Sequence, residues 1–83
     1  MKITFKLFAG LSEHLPRGAV QNAVQMEVST KCSLNDLIKQ HQIPRDQVHL
    51  ILVNGLSKSE IECETSVLEE GDVVAMWPPV AGG

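Results

Sequence analysis

The chain has 83 residues, of which 43% are hydrophobic and 20% charged, a composition that describes a globular protein and excludes a disordered, fibrous or disulfide-scaffold one. A chain of this length buries only about 60–65% of its unfolded surface, which leaves no room for a second independent core. Seven basic against ten acidic side chains give a net charge of −3, without the surplus of cations by which nucleic-acid binders neutralise phosphates.

Ile3, Phe5 and Leu7 alternate with Lys2, Thr4 and Lys6, the period of a half-buried strand, and Phe8 follows with outward parity. Leu11 and Leu15 then change the spacing to i,i+4 before Pro16-Arg17-Gly18, so a short helical turn and a loop are expected. Between Val20 and Val28 the later residues alternate again, with Val24, Met26 and Val28 on one side, predicting a second strand that pairs with the first. Ser33-Leu34-Asn35-Asp36 is a capping-box start, and Leu34, Leu37, Ile38 and His41 form one helical face. The helix is expected to stop near Gln42-Ile43, because Pro44 lacks an amide donor and restricts the residue before it.

Residues 48–53 are nearly all apolar, which suits a strand covered on both sides or central in a sheet. Asn54-Gly55 is a hairpin-turn signal. Residues 57–64 are polar around Ile61 and are read as a short edge strand, its glutamates blunting the edge or forming an acidic docking patch. Leu68 anchors a turn-rich crossing that reverses at Gly71-Asp72, Val73 to Trp77 is the last strand, and Pro78-Pro79 ends it because proline cannot donate to a ladder. The predicted fold class is α+β, a roll in which a mixed sheet of about four to five strands packs on one main helix. Residues 1–77 form that domain and residues 78–83 a flexible tail.

Conventional catalytic patterns fail. Gly10-Leu11-Ser12-Glu13-His14 starts like a nucleophile elbow but has histidine where the second glycine belongs. The three histidines and two cysteines have no metal-site spacing. Cys32 and Cys63 form no C-x-x-C pair, and both are expected as reduced, half-buried thiols of a cytoplasmic protein. A strand pattern follows Met1-Lys2 at once where a signal peptide would have an apolar run, and no stretch reaches the roughly 18 to 20 apolar residues of a membrane span. Neither a leader nor a membrane contact is expected.

The C-terminus is different. Pro78-Pro79 is stiff and extended, whereas Ala81, Gly82 and Gly83 carry almost no side-chain bulk and fit a narrow channel. At about 3.3 Å per residue the segment from Pro78 reaches up to about 20 Å, enough to enter a partner's active site. The terminal carboxylate is an anion at neutral pH and a poor electrophile, so it needs activation.

Met76-Trp77-Pro78-Pro79-Val80-Ala81-Gly82-Gly83, preceded by Leu68-Glu69-Glu70-Gly71-Asp72-Val73-Val74, by Val53-Asn54-Gly55 and by Leu7-Phe8-Ala9, resembles the MoaD/ThiS family of ubiquitin-like sulfur carriers. The resemblance spans essentially the whole chain, is most specific in the terminal motif, and implies a β-grasp fold. It implies a carrier, not an enzyme, whose Gly83, preceded by Gly82, is adenylated by an ATP-dependent E1-like adenylyltransferase of the MoeB/ThiF kind and converted into a thiocarboxylate. The carrier itself binds no cofactor; ATP belongs to the activating partner. The acceptor is the large subunit of molybdopterin synthase, serving a molybdenum or tungsten cofactor, or alternatively thiazole synthase in thiamine synthesis. Phe8, Leu56, Trp77, Pro78, Pro79, Val80 and Ala81 match the family's docking surface and tail. Ser12-Glu13 stands where an Arg-Glu pair is common in molybdopterin-synthase small subunits, which leaves the pathway open. A protein modifier joined to lysines through Gly83, and a passive interaction domain, are the readings from other classes.

Overall fold

The structure is a computed structural model that describes residues 1–79. Five strands and two short α-helices follow in the order β1 (Lys2–Leu7), β2 (Ala23–Glu27), α1 (Leu34–Gln40), β3 (Leu50–Val53), β4 (Leu56–Ser57), α2 (Glu60–Thr65) and β5 (Val73–Trp77). A 3-10 turn at Ala9–His14 follows β1, and another at Arg45–Gln47 precedes β3. The strands form one mixed sheet in the order β2-β1-β5-β3-β4. β1 and β5 run parallel at its centre, and the remaining neighbours are antiparallel.

The alternation of β1 decides which side is the core. Ile3, Phe5 and Leu7 are buried, as are Val74 and Met76 of β5, and they join Leu34, Leu37 and Ile38 of α1 in one cluster. Successive side chains of a strand point to opposite faces, so α1 lies on the side of Leu7 and Met76, and their successors Phe8 and Trp77 take the other. α1 starts at a capping box: the Ser33 hydroxyl accepts from the Asp36 amide at 3.1 Å, and the Ser33 amide donates to the Asp36 carboxylate at 3.0 Å. It ends at Gln40, a little before the predicted stop, because Gln42 adopts a positive φ of 56°. Gln42 and Ile43 then donate back to the Lys39 and Ile38 carbonyls, a Schellman closure that tucks Ile43 into the core. His41 packs on the Phe5 ring at 4.9 Å between centroids, as its place on the apolar face of the helix predicts.

The hairpin signal at Asn54-Gly55 is realised as a two-residue turn with φ of 53° and 84°, joining Val53 directly to Leu56. Leu68 is buried and Gly71 turns with φ of 85°, as the turn-rich crossing requires. Two elements differ from expectation. The second strand is confined to Ala23–Glu27, because Gln21 and Asn22 take positive φ and pair Val20 back onto Ala23 in a tight turn. Residues 57–64 do not form an edge strand: β4 has two residues, and Glu60–Thr65 is helical. The Ser59 hydroxyl accepts from the Glu62 amide at 3.2 Å and the Glu62 carboxylate accepts from the Ser59 amide at 3.1 Å, a second capping box that nucleates the turn. In that helix Cys63 faces the core at 0% exposure, while Ile61 points outward at 73%.

Candidate functional site

The end of β5 is built from the pairing of the two central strands. Phe8, one residue beyond β1, donates its amide to the Met76 carbonyl at 3.2 Å, and the His49 amide donates to the Trp77 carbonyl at 2.9 Å. With both backbones fixed, the Phe8 and Trp77 rings stack at 4.6 Å between centroids and 6° between planes. Trp77 is half-buried and lies outside the core cluster. Pro78 and Pro79 continue directly from this pair, half-buried and exposed respectively. Val80, Ala81, Gly82 and Gly83 lie outside the described residues.

The register extends the aromatic pair into a plate. Leu50 stands opposite Trp77 and Leu52 opposite Ala75, with Lys6 on the far side of Ala75 and Thr4 beside Val73. Phe8, Trp77, Leu50, Leu52, Ala75 and Val73 thus share the face away from α1, and Leu50 is 38% exposed. Residues 48–53 are expected as a strand covered on both sides or central in a sheet; β3 lies inside the sheet between β5 and β4, and neither helix covers its second face.

Leu56 does not join this plate. It pairs with Val53, which is buried in the core, so pleating puts Leu56 on the helix side of the sheet. There it is 67% exposed and borders, with Val67, a cavity of about 340 Å³. A second cavity of about 270 Å³ lies between α1 and α2.

Other chemistry is absent from the described residues. No group of three or more histidine, cysteine, aspartate or glutamate side chains could hold a metal ion there. His14 lies 3.8 Å from the Glu13 carboxylate, and no hydrogen bond joins it to Ser12 among the described residues. Cys32 and Cys63 are free and fully buried rather than half-buried, at 2% and 0% exposure. Burial pushes both thiols above their ordinary range; the Asp36 charge adds to this at Cys32, and Arg45 opposes it at Cys63. A buried neutral thiol is a poor nucleophile. No helix among the described residues is long and apolar enough to cross a membrane.

A mixed five-stranded sheet over α1, with an uncovered apolar plate at the root of its C-terminal segment, defines a ubiquitin-like β-grasp protein. Residues 1–81 match the family model of the Mut7-C ubiquitin, and the chain belongs to that family. Among solved structures it is similar to SAMP1 from Haloferax volcanii, at 26% identity and a TM-score of 0.67 with both chains covered completely. The HVO 2177 protein of Haloferax volcanii shares its fold at 24% identity and a TM-score of 0.74, over 100% of this chain and 87% of that one. So does a chain in the complex of subunits 1 and 2 of the molybdopterin-converting factor from Helicobacter pylori, at 18% identity and a TM-score of 0.61 with full coverage of both. No curated protein matches. The likeness to MoaD/ThiS-type ubiquitin-like proteins inferred from the terminal motif agrees with these findings.

Proposed function

We propose that the protein is a sulfur carrier whose Gly83 carboxylate is activated and thiolated by partner enzymes, the sulfur being delivered to a molybdopterin or tungstopterin precursor. The carboxylate attacks the α-phosphorus of ATP, expelling pyrophosphate and forming an acyl adenylate. A sulfur nucleophile then displaces AMP and leaves a thiocarboxylate. The leaving group supplies the electrophilicity that an anionic carboxylate lacks. The observation that carries this reading is the Phe8–Trp77 stack on an uncovered apolar face, directly ahead of Pro78-Pro79 and the Val80-Ala81-Gly82-Gly83 sequence. Such a face suits docking on an E1-like enzyme and on an acceptor in turn, while the terminus enters their active sites. Similarity to a component of a molybdopterin-converting factor complex supports the pterin destination. Thiazole synthesis is the other pathway, and in this reading the carrier binds no cofactor and catalyses nothing alone.

The intact mass after incubation with ATP, a sulfur source and native-host lysate tests the reading. Exchange of one oxygen for one sulfur, mapped to Gly83, is the expected result. Adducts on lysines of other proteins without thiocarboxylate would instead make the chain a ubiquitin-like modifier, to which the similarity with a ubiquitin-like protein from Caldiarchaeum subterraneum lends the fold.

A further inference from the structure

The outward face of the sheet holds a depression with Ala75 as its floor. Along β5 Ala75 lies between Val73 and Trp77, and across the strands it stands opposite Lys6 of β1 and Leu52 of β3. Neither helix covers this side, yet Ala75 is only 8% exposed, because a methyl group lies below the level of four longer neighbours. Lys6 and Leu52 are half-buried beside it, as suits a lysine whose aliphatic stem runs over an apolar surface.

Lys6 is the one charge in this group. Its other neighbours on the same face are Thr4 and Phe8 along β1 and Ala23 across on β2, none of them acidic. The next cation, Lys2, stands opposite Glu27, which also lies 3.5 Å from the N-terminal ammonium. Glu60, Glu62 and Glu64 belong to α2 on the helix side, and Glu69, Glu70 and Asp72 to the turn ahead of β5. Among the described residues Lys6 makes no salt bridge and no side-chain hydrogen bond. A half-buried ammonium thus borders an apolar dip, on a chain whose net charge is −3.

We propose, resting on the carrier reading above, that Lys6 is a docking residue: the activating enzyme seats an aliphatic side chain over Ala75 and pairs a neighbouring carboxylate with the Lys6 ammonium. An aliphatic group fills a dip floored by Ala75 and bounded by Val73, Leu52 and Trp77 without leaving a polar group unpaired. Closing the interface takes water from the ammonium, which penalises an apolar or cationic counterpart and favours a carboxylate. One cation among apolar groups fits a single carboxylate, whereas a nucleic acid requires several cations. Lys6 lies on the β1 side of Trp77, so the pair also fixes how the chain is turned when Gly83 enters the active site.

The test measures the initial rate of sulfur loading on Gly83 against carrier concentration, with ATP, a sulfur source and a fixed amount of native-host lysate. Lys6→Glu should raise KM by about tenfold and Lys6→Met, which keeps the stem, by about threefold, the effect falling on KM rather than on the rate at saturation. Lys6→Arg keeps the charge and should recover most of the loss. Lys31→Glu makes the same change in net charge at an exposed turn outside the sheet and should leave KM within about a factor of two. KM of the parent chain should rise with added salt, and less so in Lys6→Met. Circular dichroism should show each variant folded, and Lys6→Met decides the matter if Lys6→Glu does not fold. Loading of the parent chain with an unchanged KM in Lys6→Met, or an equal rise in Lys6→Glu and Lys31→Glu, would overturn the proposal and leave the carrier reading standing. A parent chain that is never loaded would overturn the carrier reading and this inference with it.

Discussion

Phe8 and Trp77 lie with their ring planes 6° from parallel and 4.6 Å apart, on the side of the sheet that neither helix covers. Aromatic pairs are worth about 0.5–1.5 kcal/mol beyond their buried area, and partial exposure places this one toward the lower end. A double-mutant cycle of Phe8→Ala and Trp77→Ala in urea unfolding should give a coupling of about 0.5–1 kcal/mol with an unchanged m-value. Zero coupling would mean that the rings are neighbours without mutual stabilisation.

Docking on the plate predicts a contrast between two leucines. Leu50 stands opposite Trp77, whereas Leu56 stands opposite buried Val53 and so on the other side. Leu50→Glu should slow ATP-dependent sulfur loading of Gly83 by about tenfold or more, as charging a central interface position does. Leu56→Glu should leave the rate within about a factor of two, and circular dichroism should show both variants folded. The reverse pattern would move the docking surface to the β4 side. Trp77→Glu belongs with Leu50→Glu; a variant that unfolds instead would make Trp77 a structural residue.

β1 is legible in the sequence because its alternation is strict, β5 because an apolar run from Val73 to Trp77 ends at Pro78-Pro79, and the start of α1 because Ser33 and Asp36 stand three apart. α2 was missed although Ser59 and Glu62 carry the same signature. Ile61 drew the reading toward a strand, yet the residue that α2 buries is Cys63, a small side chain whose packing role is weak in any hydropathy pattern. The side occupied by Leu56 follows only from register: a two-residue turn at Asn54-Gly55 makes Val53 and Leu56 partners, so both face the same way. The place of β3 inside the sheet is legible in its apolar run, whereas the state of its second face is not. A run that is nearly all apolar cannot distinguish a face covered by the chain itself from one left open for a partner.

Placing the mobile sulfur on the terminus makes the cysteines dispensable for transfer. Cys32 and Cys63 are at 2% and 0% exposure with thiols pushed up by burial, so both should react with an aromatic disulfide reagent only as fast as the chain opens. Cys32→Ala combined with Cys63→Ala should retain sulfur loading while losing about 1–2 kcal/mol of stability from the small voids left behind. Alanine is the better probe, since serine at Cys63 would bury a hydroxyl. Loss of loading by the folded double variant would place a sulfur relay on one of these thiols.

The two capping boxes predict how stability responds to acid. Hydrogen bonds from the Ser33 backbone amide, and then from its side chain, hold the Asp36 carboxyl below its usual range; Ser59 does the same for Glu62. A carboxyl depressed in the folded state contributes stability that is present above its unfolded value, about 3.9 for aspartate and 4.3 for glutamate, and lost as pH falls through the folded value. Thermal unfolding should therefore show a Tm insensitive to these groups above about pH 5 and a decline below about pH 4. Both carboxylates are exposed, so solvent screening keeps their share of the decline small. In Asp36→Asn combined with Glu62→Gln the amides still accept from the cap but no longer titrate, and the acid limb should be shallower. Ser33→Ala and Ser59→Ala should instead lower stability at neutral pH by about 1 kcal/mol each. An acid limb identical in the amide variant and the parent chain would show that carboxylates elsewhere carry the acid sensitivity.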